Sequence, residues 1–148
     1  MIKNESSYQK AVEKLKQDKE FIQSEKERFT NMGLNEEQIR MAISPLISFH
    51  EQLKEEVHYY ERIKRGSFNP IHKFTDIGKT LVAYRIYIGM TQQELADKLK
   101  VSAAQISRDE RNEYYGATTE KIEKVMTAMR MKATINVDVS VAGGQARA

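Results

Sequence analysis

Histidine, cysteine and paired carboxylates carry most catalytic and metal chemistry, and in this sequence they offer little. Cysteine is absent from the 148 residues, which excludes disulfides, thiolate metal sites and cysteine nucleophiles. The three histidines are His50, His58 and His72, and the first two stand eight residues apart, too far along a helix to share a metal unaided. Glu36–Glu37 and Glu55–Glu56 lie in charge-rich stretches and read as solvated helix surface. There is no glycine-rich phosphate loop and no recognisable nucleophile–base spacing. The expectation is a protein that is not an enzyme and uses no metal or cofactor.

Charge then matters more than reactivity. The net charge is +3, unevenly spread. Residues 1–66 hold 12 basic and 12 acidic side chains, whereas residues 67–131 hold 10 and 8. The middle block is therefore mildly basic, which permits nucleic-acid binding without requiring it. No apolar run approaches the roughly 20 residues of a membrane helix. The first twenty residues have no apolar core of the signal-peptide kind. A cytoplasmic protein without membrane segments is expected.

Two long amphipathic stretches open the chain. Tyr8, Leu15, Ile22 and Phe29 recur every seven residues on a charged background, and Gly33 stops the helix they define. Asn35 and Gln38 form a capping box for a second stretch through Ile39, Leu46, Leu53 and Tyr60. Pro45 interrupts it, so Ser44–Pro45 reads as a fresh start: a short helix at 36–43, then a longer one at 45–65. Residues 1–66 are thus expected to form a helical hairpin. Its narrow apolar stripes suit dimerisation or partner docking, because two helices have little core of their own.

Residues 67–75 read as a linker, with Asn69–Pro70 marking a loop and Thr75 or Asp76 able to cap the next helix. Ile77, Leu81, Tyr84 and Ile88 then space an amphipathic helix closed by Gly89. Thr91–Gln92–Gln93–Glu94 is a capping box leading into Leu95, Ala96 and Leu99. Lys100–Val101–Ser102 leaves room only for a sharp corner, Val101 and Ile106 are expected to plug it, and Ser102 caps the helix after it. Thr118 or Thr119 starts a last helix through Ile122, Val125, Met126 and Met129. Two short helices joined by three residues, the second projecting its start outward, have helix-turn-helix geometry.

The string Gly89-Met90-Thr91-Gln92-x-Glu94-Leu95-Ala96-x-x-Leu99-x-Val101-Ser102-x-x-x-Ile106-Ser107-Arg108-x-Glu110 resembles the Cro/repressor-like (XRE) helix-turn-helix family over about residues 76–130. The resemblance implies an all-α, lambda-repressor-like five-helix domain at 76–131 that binds double-stranded DNA as a homodimer. Two positions depart from the family pattern. Lys100 replaces the usual turn glycine and should adopt a left-handed conformation. Asp109 replaces an apolar residue and should place an acid near the phosphate backbone. In such a domain Ala103 and Ala104 face base edges, where a methyl suits thymine. Gln105 bonds a phosphate or a base, and Arg108 can fork onto a guanine. Gln92 aims its backbone N–H and amide at a phosphate. Ser102, Ser107, Arg111 and Asn112 complete the expected DNA-binding set. Arg85 and Glu110 match positions that form a structural ion pair in this family.

The whole layout, a hairpin ahead of this domain, is similar to Cro/repressor-type antitoxins of bacterial toxin–antitoxin pairs, which implies a toxin protein as a second partner. At 132–148 a short β-strand and flexible tail are expected. Ile135, Val137, Val139 and Val141 alternate with polar residues, and such a strand either pairs across a dimer, which is the favoured expectation, pairs with a companion protein, or lies unpaired. The leading expectation is a sequence-specific, repressor-like regulator. Its alternatives are an antitoxin that also regulates its own operon and a protein-interaction module without DNA binding.

Overall fold

A computed structural model of the chain describes residues 1–140. Every regular element within them is helical. Helix α1 spans Glu5–Asn31 and begins where the Asn4 side chain accepts the Ser7 N–H at 2.8 Å. It ends at Gly33, left-handed at φ +83°, with the Leu34 N–H closing back on the Phe29 carbonyl at 3.2 Å. Helix α2 spans Glu36–Lys64 and starts from the reciprocal Asn35–Gln38 box, with bonds of 2.9 and 3.0 Å.

The break expected at Ser44–Pro45 does not occur. Helix α2 is continuous through Pro45 although proline supplies no N–H to the turn before it. Ile43 is buried just ahead of Pro45, and Leu46, Leu53 and Val57 continue on the side facing α1. Packing along this seam keeps the helix unbroken and outweighs the local preference. The turn preceding the proline contains Met41 on the solvent side, where water can take up a freed carbonyl.

A single 3-10 turn at Phe74–Asp76 leads into α3 (Ile77–Tyr87), α4 (Gln92–Leu99), α5 (Ala103–Arg111) and α6 (Thr119–Ala128). Four α-helices and one 3-10 turn thus occupy the region where the resemblance implies five helices. Asp76 does not cap α3; its carboxylate accepts the His72 and Lys73 N–H groups at 3.1 and 3.0 Å. Helix α3 buries Leu81, Val82, Ala83, Arg85 and Ile86, while Ile88, expected inward, is half-exposed. Its inward surface is wide because α2, α5 and α6 all pack against it.

One continuous core joins the base of the hairpin to this helical body. Ile2, Ala11, Val57, Tyr60 and Ile63 share a cluster with Leu81, Ile86, Leu95, Ala96, Ile106, Val125 and Met129. The rest of the hairpin has less backing: Phe49, midway along α2, is 71% exposed, and Met41, nearer the turn, 70%.

Residues 131–138 form no strand. Ile135, Val137 and Val139 are exposed, and a lone segment in a helical chain has no ladder to join. Val141 and the tail at 142–148 lie outside the described residues. Among the described residues, no helix is long and apolar enough to cross a membrane.

Candidate functional site

The α4–α5 corner is built by local chemistry. The Thr91 N–H donates to Glu94 Oε2 at 2.7 Å, and the Glu94 N–H returns to Thr91 Oγ1 at 3.0 Å. At the other end of α4, Lys100 takes the left-handed conformation, φ 56° and ψ 41°. The Val101 N–H then bonds the Ala96 carbonyl at 3.0 Å. Ser102 caps α5 by accepting the Gln105 N–H at 3.1 Å. Leu95, Ala96 and Ile106 are buried at 0–1% exposure where α4 and α5 meet. Val101 does not plug the corner: it is 41% exposed, because the left-handed step turns it outward and leaves Ile106 to fill the junction.

The amphipathic α5 divides its side chains cleanly. Ile106 and Glu110 point inward, while Ala104, Arg108, Arg111 and Asn112 are exposed. Ala103, Gln105 and Ser107 are half-buried at the margin, and Ser102 is exposed at the cap. Arg108 Nη2 donates to Gln105 Oε1 at 2.8 Å, and Gln105 Nε2 donates to Asp109 Oδ1 at 3.0 Å. Asp109 also pairs with Lys121 of α6 at 2.8 Å. Its carboxylate is therefore committed between α5 and α6, not free beside the exposed face as its sequence position suggested.

Beneath α5 lies a polar network. Arg85 of α3 and Glu110 of α5 are each 2% exposed. Arg85 Nε donates to Glu110 Oε1, and Nη2 donates to Glu110 Oε2 at 2.9 Å. Nη1 also donates to the Met90 carbonyl at 2.7 Å, and Nη2 to the Lys3 carbonyl at 3.3 Å. Gln92 Nε2 donates to Glu110 Oε2 at 2.7 Å. A buried charge pair is tolerable only when its other polar positions are filled, and here three elements fill them. One N–H of the Gln92 amide is thus spent on Glu110, which leaves its second N–H, its amide oxygen and its backbone N–H for other partners.

Tyr114 closes the far end of α5. Glu113 and Tyr114 are consecutive left-handed residues at φ 53°, and the Tyr114 N–H bonds the Asp109 carbonyl at 2.8 Å. This turn lies so close to α3 that a Cβ on Gly78 would sit 1.7 Å from the Glu113 carbonyl oxygen. The Tyr114 hydroxyl is buried without a hydrogen-bond partner. Burial pushes its pKa up, and the nearby Glu110 and Asp109 carboxylates add to the shift.

A cleft of about 500 Å³ separates the hairpin base from α4. Lys3, Glu5, Tyr60 and Lys64 from the hairpin base line it together with Thr91, Gln92 and Ala103. Lys3 and Lys64 carry no signal in the sequence because no spacing rule links residues so far apart. Among the described residues, no group of three or more histidine or acidic side chains is placed to hold a metal ion. Comparison with protein-family models, curated proteins and solved structures finds no match to this chain.

Proposed function

We propose that this chain is a sequence-specific DNA-binding regulator, a helix-turn-helix protein that lays α5 in the major groove as a homodimer in the bacterial cytoplasm. The observation that carries the reading is the division of α5. One side is locked down through Ile106 and the buried Arg85–Glu110–Gln92 network, and the other presents Ala104, Gln105, Arg108, Arg111 and Asn112. A rigid helix with donors on its free face is what base-edge readout requires. Ala103 and Ala104 supply methyl contacts, Arg108 reads a guanine once released from Gln105, and Ser102, Ser107 and the Gln92 backbone position phosphates. Dimerisation fits the apolar groove of about 630 Å³ beside α6, where Phe74 and Tyr115 are 80% and 83% exposed.

Selection of bound sequences from random DNA, and then titration of the winner, tests this. The expected outcome is a two-fold-related site, with Arg108→Ala relaxing preference at one position per half-site by about 1–3 kcal/mol. A chain without duplex affinity even at low salt is instead a protein-interaction module.

A specific feature favours an additional role as the antitoxin of a toxin–antitoxin pair. Between α1 and α2 runs a groove of about 440 Å³ lined by Phe21, Ile22, Leu46, Phe49 and Leu53. Exposed apolar surface of this kind suits a protein partner. Co-expression with a toxin gene from the same operon should yield a stoichiometric complex that Phe49→Glu disrupts while DNA binding persists.

A further inference from the structure

We infer that the hairpin is itself part of the DNA contact surface, with Lys3 and Lys64 holding the phosphodiester backbone at the cleft they share with α4. The inference rests on the DNA-binding reading and extends it to a segment whose net charge of zero gave no such sign. Three observations carry it. Both lysines line the same cleft as Thr91, Gln92 and Ala103, the edge at which α4 and α5 would meet a DNA strand. Neither ammonium has an ion-pair partner among the described residues. Carboxylates at the cleft are fewer than cations: Glu110 is buried against Arg85, which leaves Glu5, accepting the Tyr60 hydroxyl at 3.2 Å, as the one acid lining it beside the two lysines.

Position adds to charge. Ile2 is 6% exposed in the core, and the Lys3 carbonyl accepts Arg85 Nη2 at 3.3 Å, so the backbone bearing Lys3 is anchored beside the cleft. Lys64 leaves the last turn of α2, on the same side as buried Tyr60. Two free cations in one cleft with a row of backbone-contact candidates suit a polyanion strand running along it.

The test is the salt dependence of binding to a random-sequence duplex, measured by fluorescence anisotropy between 50 and 200 mM salt. Each lysine that contacts a phosphate contributes about one unit to the slope of log affinity against log salt. Lys3→Ala/Lys64→Ala should therefore flatten the slope by about two units. It should weaken the random and the selected duplex by the same factor and leave the thermal midpoint unchanged. Lys26→Ala, at the far end of α1, should leave the slope intact. A double variant with the slope of the unmodified chain overturns the inference while the DNA-binding reading stands. An unmodified chain that binds no duplex at low salt overturns both.

Discussion

Two helical corners in this chain obey the same local rules and come to different ends. The α1–α2 turn and the α4–α5 turn each pass through a left-handed residue, Gly33 at φ 83° and Lys100 at φ 56°. Each is followed by a side-chain cap: Asn35 accepts the Gln38 N–H after the first, and Ser102 accepts the Gln105 N–H after the second. The α4–α5 corner buries its apolar residues within the chain, with Leu95, Ala96 and Ile106 at 1% exposure or less. The α1–α2 hairpin leaves Met32, at its turn, and Met41 and Phe49, along α2, at 63–71%. Capping and turn chemistry decide where a helix begins and ends; only the surrounding packing decides whether its apolar face is satisfied. The surplus along the hairpin is apolar surface that packing within the described residues leaves uncovered.

The sharpest way to break the contrast is to attack the buried network. Arg85→Ala strands Glu110 and should cost about 3–5 kcal/mol in a denaturant melt, whereas Arg85→Met/Glu110→Leu should recover much of that. Leu95→Ala should cost about 2–5 kcal/mol, while Phe49→Ser on the hairpin stays within about 0.5 kcal/mol for the isolated chain. Equal losses at the two sites would erase the distinction. Pro45→Ala should stabilise the hairpin by about 2 kcal/mol, the interior penalty of proline less the unfolded-chain freedom it removes. Lys100→Gly should raise stability by about 0.5–1 kcal/mol, by relieving the left-handed side chain against the added backbone entropy. Smallest is a pH effect. Above the ordinary tyrosine pKa of 10 the unfolded Tyr114 loses its proton while the buried one keeps it, so stability falls as pH rises. Tyr114→Phe should flatten that decline in melts between pH 9 and 11.

The α4–α5 corner was legible because each of its determinants lies within a few residues: Thr91 with Glu94, Ser102 with Gln105, and Lys100 at the turn. The features that were not legible depend on distance. Pro45 looks like a helix start until α1 is laid alongside it. The alternation of Ile135, Val137 and Val139 specifies a face, but a strand needs a neighbour to bond. Asp109 looks like an acid exposed to a partner, yet Lys121, twelve residues on, takes its charge at 2.8 Å. Gln92 turns its amide inward because Glu110, at the end of α5, still has an oxygen to share. Val101 belongs at the junction on its apolar character alone, and the left-handed step at Lys100 carries it outside.

The Arg85 hub also dictates an order of assembly. Its partners lie 82 residues upstream, at Lys3, and 25 downstream, at Glu110. During synthesis α1 and α2 leave the ribosome first and can zip along their shared seam at once. The guanidinium cannot shed its hydration until Glu110 has emerged to receive it, so α3 must wait, wet and unpacked, for α5. Maturation is therefore expected to proceed in two acts, the hairpin early and the α3–α6 body late, with a single arginine as the latch between them.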